Sequence, residues 1–313
     1  MIQKISTLDM SREDWLEHRR HSIGGSDAAT IVGLNPWSSR YELWADKLGK
    51  IPPKEENEAM RIGHDLEEYV AKRFCEATGK KVRRENSILR DPKLPFAHAN
   101  VDRLIVGEKA GLECKTTSVL NLGRYKGGEY PPNYYVQCQH YMMVTGYDTW
   151  YLAVLVLSGA FLWFKIKRND EDIEALMQAE KNFWELVENR QEPPVDGTSS
   201  CSDTLDKLYP DSDPDVEIDL SPLTDALTQR SELCRQIKAL EEQKKACENS
   251  IKDYMETAER GLCDGFKVSW KSQQRIAFDS KQLQADHPEI DFSKYCKTTS
   301  SRIMRITEVK DNG

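Results

Sequence analysis

Paired cysteines are missing. The eight cysteines, at 75, 114, 138, 201, 234, 247, 263 and 296, include no CxxC and no Cys/His group at zinc spacing. This excludes a zinc finger or ribbon, and scattered thiols fit a reducing compartment better than a disulfide scaffold. No run approaches the ~18 apolar residues of a membrane span. The opening MIQKISTLDMSREDW also lacks the apolar stretch of a signal peptide. A cytoplasmic protein with no membrane partner is therefore expected. Basic charge is in short supply as well: 44 Lys+Arg stand against 52 Asp+Glu, a net charge of −8, which weighs against a strongly basic nucleic-acid binder. No internal repeat is evident.

The acid excess is local. Residues 196–220 (DGTSSCSDTLDKLYPDSDPDVEIDL) hold eight acids and one lysine, whereas 1–195 carry 27 basic and 29 acidic residues. This Pro-, Ser- and Asp-rich stretch reads as an exposed acidic linker. It separates a first domain, 1–195, from a C-terminal region, 221–313. The first is long enough to bury an ample core.

In the first domain, SREDWLEHRR predicts a helix capped by Ser11, with Asp14 in the reciprocal position, and a second helix starts at Ser26. NEAMRIGHDLEEYVAKRFCEATGK places Met60, Leu66, Tyr69, Val70, Phe74 and Ala77 at helical spacing and ends on Gly79. FAHANVDRLIV and GLECKTT then predict two strands joined by the GEKAG turn. A Gly-, Pro- and Tyr-rich loop follows, and Pro131-Pro132 lead into a helix closed by Gly146. TWYLAVLVL and AFLWFKIK form an apolar hairpin about Gly159, before a helix over 170–191. In the C-terminal region, Leu233, Ile237, Leu240, Lys244, Cys247, Ile251 and Tyr254 step by four and three residues, a short coiled-coil-like seam. It predicts an antiparallel helical hairpin or an oligomer or partner contact. FKVSWKSQQRIAF suggests a small β element and SRIMRI a last strand.

Side chains alternate along a strand, so Glu113 and Lys115 share one face. With the hairpin centred on Glu108-Lys109, Asp102 lies opposite Lys115, and all three share that face. Two carboxylates this close repel, and a hard cation between them relieves the repulsion. The lysine can then serve an attacking water, a set suited to phosphodiester hydrolysis. On spacing alone, ordinary cross-strand charge pairs on a solvated face are the commoner explanation.

The motifs WLEHRRHSIGGSDAATIVGLNPW, GHDLEEYV, NVDRLIV with GLECKT, and YYVQCQHYMMVTG occur in one order over about 11–190. In these the sequence resembles the YqaJ-type phage recombination nucleases, lambda-exonuclease-like members of the PD-(D/E)XK superfamily. The superfamily's proline is absent before Asp102, where Val101 stands. The resemblance implies an α/β (α+β) fold with a restriction-endonuclease-like mixed sheet flanked by helices. It implies that Asp102 and Glu113 hold Mg2+ (Mn2+ substituting), with the backbone carbonyl of Cys114 and Glu67 of Gly63-x-x-x-Glu67, and that two ions bind once substrate is present. Lys115 would serve the water.

It further implies that Arg19 and Ser26 hold a 5′-terminal phosphate, although a surface charge and a helix N-cap are equally good readings of these two from the residues. Gln137 and Tyr141, four apart on one helical face, match the Gln-x-x-x-Tyr motif beside the metal centre. Arg124 and Lys126, with Tyr130, Tyr134 and Tyr135, either grip DNA or form a surface loop packed on the core. The same alternatives hold for Lys80, Lys81, Arg83 and Arg84. His140 is expected to be structural.

The expected activity is 5′-to-3′ digestion of double-stranded DNA from its ends, leaving 3′ single strands for recombination in a bacterial cell, with phage or prophage origin. The implied partners are DNA ends, a single-strand annealing protein and further copies of the chain, in a ring trimer by analogy. An endonuclease or a nuclease of other polarity, and a silent DNA-binding or assembly protein, are the alternatives.

Overall fold

A computed structural model describes residues 2–297 and 301–307. The chain divides into two units, 1–210 and 211–313.

In the first unit a five-stranded mixed sheet runs in the order β2 (Val82–Arg84), β4 (Arg103–Ile105), β5 (Ala110–Ser118), β6 (Thr149–Leu157), β7 (Phe161–Lys167). Only β5 and β6 run parallel, Glu113 pairing with Leu152 and Lys115 with Val154. A separate two-stranded ribbon joins β1 (Gln3–Ser6) to β3 (Ser87–Arg90). Both strands are only four residues long, too short to give a periodic signal in the sequence.

Alternation along β6 divides the core. Trp150, Leu152 and Val154 pack on one face, with residues of α2 (Gly25–Ile31), α3 (Arg40–Lys47), α5 (Pro132–Thr145) and α6 (Asp170–Glu188). Tyr151 and Ala153 pack on the other with Val70, Ala71 and Phe74 of α4 (Glu58–Thr78). Burial of these apolar side chains, about 1.5–3 kcal/mol for each large one such as Leu152, Val154, Val70 and Phe74, holds helices on both sides of the sheet. Asn57 caps α4 and Gly79 ends it at φ 70°, a left-handed conformation that glycine adopts at no steric cost. Gly146 closes α5 in the same way.

Three expectations change in this unit. Gly107 turns the β4–β5 hairpin at φ +82°, earlier than anticipated, and Arg103 pairs with Leu112. The register thus moves by two, and Asp102 falls opposite Glu113 rather than Lys115. A shift of two preserves the face, so the three side chains still lie together. Second, α2 begins at Gly25 with Gly24 as N-cap, so Ser26 is no cap; the Asp27 carboxylate accepts from the Gly24 amide at 3.0 Å. Third, 196–220 is not linker throughout. Residues Ser199–Leu208 form α7, capped by Thr198, with Cys201 and Thr204 buried, and Ser200 hydrogen-bonds Ser39 and Glu42 at the start of α3. Ser200, Cys201 and Thr204, three and four residues apart, give this acidic stretch one face small enough to dock.

The second unit contains α8 (Thr224–Met255), the hairpin of β8 (Arg260–Cys263) with β9 (Phe266–Ser269), and α9 (Ser280–Asp286). The seam is one uninterrupted helix, not a helical hairpin. The expected strand at 301–306 has no regular structure, and of the anticipated β element only Phe266–Ser269 is strand. No helix among the described residues is long and apolar enough to cross a membrane.

Candidate active site

Glu113 is buried beneath α5, yet its carboxylate is only half satisfied. Oε1 accepts from Lys115 Nζ at 2.6 Å and from Gln137 Nε2 at 2.8 Å. Among the described residues Oε2 has no hydrogen-bond partner, an arrangement that costs roughly 1–3 kcal/mol or more for a charged group. Asp102 lies beside it and accepts the Cys114 amide at 2.7 Å through Oδ2. Burial pushes the Asp102 carboxyl well above the usual range, and the Glu113 and Glu67 charges add to this. For Lys115 burial acts to lower the pKa, but the Glu113 and Asp102 carboxylates overcome it and hold the amine above its ordinary value. In this arrangement the amine is the donor to Glu113. The Tyr134 ring covers it, with the centroid 5.3 Å from Nζ.

An orphaned buried carboxylate oxygen beside a second carboxylate that resists ionisation is the chemistry of a hard-cation site. Asp102, Glu113 and the backbone at Cys114 fit such an ion. Glu67 is placed differently. It projects from α4, on the opposite face of the sheet, and pairs with the Arg103 guanidinium, which also donates to Glu68 at 3.0 Å and to the Asp102 carbonyl at 2.6 Å. Consistent with this, no group of three His, Cys, Asp or Glu side chains among the described residues is gathered to hold a metal ion.

Gln137 and Tyr141 stand together on α5, the amide donating to the Tyr141 hydroxyl at 2.8 Å. Tyr141 leads to the other expected cluster. Its ring packs so closely on Gly25 that a Cβ there would lie 2.5 Å from Cε1. The next residue is Ser26, whose Oγ accepts from Arg19 at 3.4 Å. Arg19 also approaches Asp27 at 3.4 Å and lies over the Trp15 ring. The structure thus joins Arg19 and Ser26 to Glu113 through one line of contacts.

Asp27 and Lys47 beneath them went unpredicted. Lys47 Nζ is buried and donates to Asp27 Oδ2 at 2.7 Å and to the carbonyls of Arg19 and Ser22 at 2.6 and 2.8 Å. Burial alone would raise the Asp27 pKa; Lys47 and Arg19 reverse this and hold it far below the carboxylate range. One signal was available: Lys47 stands four residues after Leu43, on the buried stripe of its helix.

The remaining candidates divide. Arg124 and Lys126 are exposed in a 3-10 segment, Val119–Gly128, that continues directly from β5. The loop tyrosines are each engaged within the chain: Tyr130 packs on Phe164, Tyr134 covers Lys115, and Tyr135 hydrogen-bonds Asp172. Three cations of the 80–84 cluster are paired, Lys80 with Glu108, Arg83 with Glu85 and Arg84 with Glu68. His140 is buried between Glu180 and the His98 carbonyl, a structural placement.

The profile of the YqaJ-like viral recombinase domain matches residues 14–148. The uncharacterized protein YqaJ of Bacillus subtilis (strain 168) is 43% identical over 306 residues, 96% of each chain. Among solved structures, an alkaline exonuclease from Laribacter hongkongensis is 22% identical with a TM-score of 0.49, covering 57% of this chain and 94% of its own. A phage related exonuclease from Haemophilus somnus 129PT is 16% identical with a TM-score of 0.42, covering 56% and 99%. With near-complete coverage of a relative at this identity, and with the profile spanning the segments that supply Arg19, Glu67, Asp102, Glu113, Lys115 and Tyr141, the chain belongs to the YqaJ-like family of viral recombinases.

Proposed function

We propose that this protein is a metal-dependent deoxyribonuclease that digests double-stranded DNA from its ends, 5′ to 3′, leaving 3′ single strands for recombination. The observation that carries the reading is the buried, half-satisfied Glu113 carboxylate beside Asp102 and Lys115 on adjoining strands.

Asp102, Glu113 and the Cys114 carbonyl are the residues that would hold Mg2+, and Glu67, which pairs with Arg103, is the proposed further acidic residue of the metal environment. When bound, the ion supplies charge neutralisation at the phosphate and acidifies water. Lys115 orients the attacking water and donates to the phosphate oxygens as charge develops on them. Gln137 fixes the rotamer of Glu113, and Tyr141 fixes Gln137. Arg19 and the Ser26 hydroxyl receive the terminal 5′ phosphate, for which an arginine fork is well suited. Their linkage through Tyr141 to Glu113 supports an end-directed reaction. Arg124 and Lys126, leaving directly from the strand of Lys115, contact the DNA backbone. A single-strand annealing protein and further copies of the chain complete the proposed assembly, and the family description as a viral recombinase supports the recombination role.

The test is a time course on linear duplexes labelled at the 5′ or 3′ end, with Mg2+, for the native protein and Lys115→Ala. Early release of the 5′ label is expected. Lys115→Ala is expected to lose at least about 10²-fold in rate while retaining DNA binding. Internal cleavage or early 3′ release replaces the end-directed 5′ reading with an endonuclease or another polarity. Binding without degradation identifies a silent DNA-binding protein.

A further inference from the structure

A carboxylate next to a phosphate-receiving arginine repels the phosphate, yet Asp27 directly follows Ser26 and sets its Oδ1 3.4 Å from Arg19 Nη2. It is buried, with its pKa held far below the carboxylate range, so its charge is present at neutral pH. Lys47 compensates that charge at 2.7 Å, from a side chain only 1% exposed. Arg19, Asp27 and Lys47 together carry the single positive charge that Arg19 would carry alone. A buried pair that leaves the net charge unchanged is explained by what it holds in place.

Lys47 reaches in from α3 and holds backbone. Its Nζ donates to the Arg19 carbonyl at 2.6 Å, in the last turn of α1 (Arg12–Arg20), and to the Ser22 carbonyl at 2.8 Å, where the chain turns toward α2. Asp27 divides its two oxygens. Oδ2 accepts from Lys47 and from the Gly24 amide at 2.7 and 3.0 Å, which leaves Oδ1 to face Arg19. The Trp15 ring lies on the guanidinium, its centroid 5.0 Å from Cζ. Both hydrogen bonds of the guanidinium use Nη2, so that among the described residues Nη1 is left for a ligand.

We infer that Asp27 and Lys47 are positioning residues for the recognition of DNA ends: Lys47 fixes the backbone from which Arg19 projects, and Asp27 fixes the direction of its guanidinium. The terminal phosphate then meets an arginine that is already oriented. This inference rests on the proposed role of Arg19 and Ser26 as receivers of the 5′ phosphate.

Field and geometry make opposite demands at this position. If Asp27 acted on the phosphate directly, its neutralisation would tighten phosphate binding, because a like charge is lost. Acting through Arg19, its neutralisation weakens that binding. A guanidinium presents its donors as a rigid fork, and a fork that is no longer aimed loses its paired hydrogen bonds and has rotamer freedom to give up on binding.

The experiment uses the full chain and linear duplexes that differ only in a 5′ phosphate or a 5′ hydroxyl, with Mg2+, and reads the ratio of kcat/KM for the two ends. Fluorescence anisotropy without Mg2+ reads the same preference as a ratio of Kd, independent of cleavage. For Asp27→Asn the preference for the phosphate is expected to fall about tenfold, chiefly through KM. In an Arg19→Ala background the same substitution is expected to leave the ratio unchanged, because the group it acts through is gone. Lys47→Met combined with Asp27→Asn leaves no unpaired buried charge and is expected to show the same reduced preference, a second reading should Asp27→Asn misfold. An unchanged or raised preference in these variants, or a further change in the Arg19→Ala background, overturns the inference while the reading of Arg19 stands. A native protein that treats the two ends alike overturns that reading, and the inference with it.

Discussion

Lys47 offers the most demanding perturbation. Its ammonium is buried and holds three oxygens: the Asp27 carboxylate and the carbonyls of Arg19 and Ser22. Lys47→Met keeps most of the volume and removes the charge. Asp27 is then left with the Gly24 amide at 3.0 Å and Arg19 at 3.4 Å, the latter a long contact through a partly exposed side chain. Removing one partner of a buried pair costs about 3–5 kcal/mol, and because Arg19 remains the expected loss is about 3 kcal/mol. The pH dependence has a definite sign. The folded Asp27 pKa is depressed, so its stabilising contribution is complete above the unfolded carboxylate value of about 3.9 and fades as pH falls below it. The native protein and the variant should therefore differ most at neutral pH, begin to converge only below about pH 3.9, and converge fully only as pH falls through the depressed folded value. Urea unfolding followed by near-UV circular dichroism at several pH values measures both effects. Asp27→Asn in the Lys47→Met background should recover part of the loss. A cost below about 1 kcal/mol, or one independent of pH, refutes the pairing.

Gly111 faces the ring of Trp150 so closely that a Cβ would lie 2.1 Å from Cζ2. Gly111→Ala is expected to destabilise by about 1–3 kcal/mol or more, measured as a lowered urea midpoint, with Trp150 displaced from its packing on Tyr141. Arg19→Ala should weaken the preference for 5′-phosphorylated over 5′-hydroxyl ends by about 1.5–3 kcal/mol, roughly tenfold to a hundredfold, in end-labelled digestion. Gln137→Leu leaves the Glu113 carboxylate held by Lys115 alone and is expected to slow cleavage by about 10²-fold at unchanged DNA affinity.

How far the sequence foretold this depended on the range of the forces involved. The bounds of α4 and α5 were legible because Asn57, Gly79, Pro132 and Gly146 act within a turn of the element they delimit. The shared face of Glu113 and Lys115 was legible from alternation, and that of Asp102 from an assumed turn register, whose error of two, caused by the early Gly107 turn, left the face unchanged. Arg103 was not legible as the partner of Glu67. Adjacent residues on a strand point to opposite faces, and only the position of α4 beneath the sheet brings Glu67 to it. The pairs Asp27–Lys47 and His140–Glu180 join side chains 20 and 40 residues apart, and no local pattern carries such a partnership. Ser26 illustrates competition at short range, since Asp27 one residue on supplies the capping oxygen instead.

The parallel pairing of β5 with β6 also has a consequence in time. Its two strands are adjacent in space but separated by the whole of the 3-10 segment and α5, residues 119–148. The hairpins β4–β5 and β6–β7 can close early, because each needs only a short turn. The seam between them closes only after the intervening chain has been laid across the sheet, which is the slow, non-local step of such a topology. Glu113 and Lys115 lie on that seam, while Gln137 arrives with the crossover itself. A partly folded chain, still on the ribosome or newly released, therefore holds its acidic pair without the helix that orients it. The order of assembly withholds the complete constellation until the domain is finished.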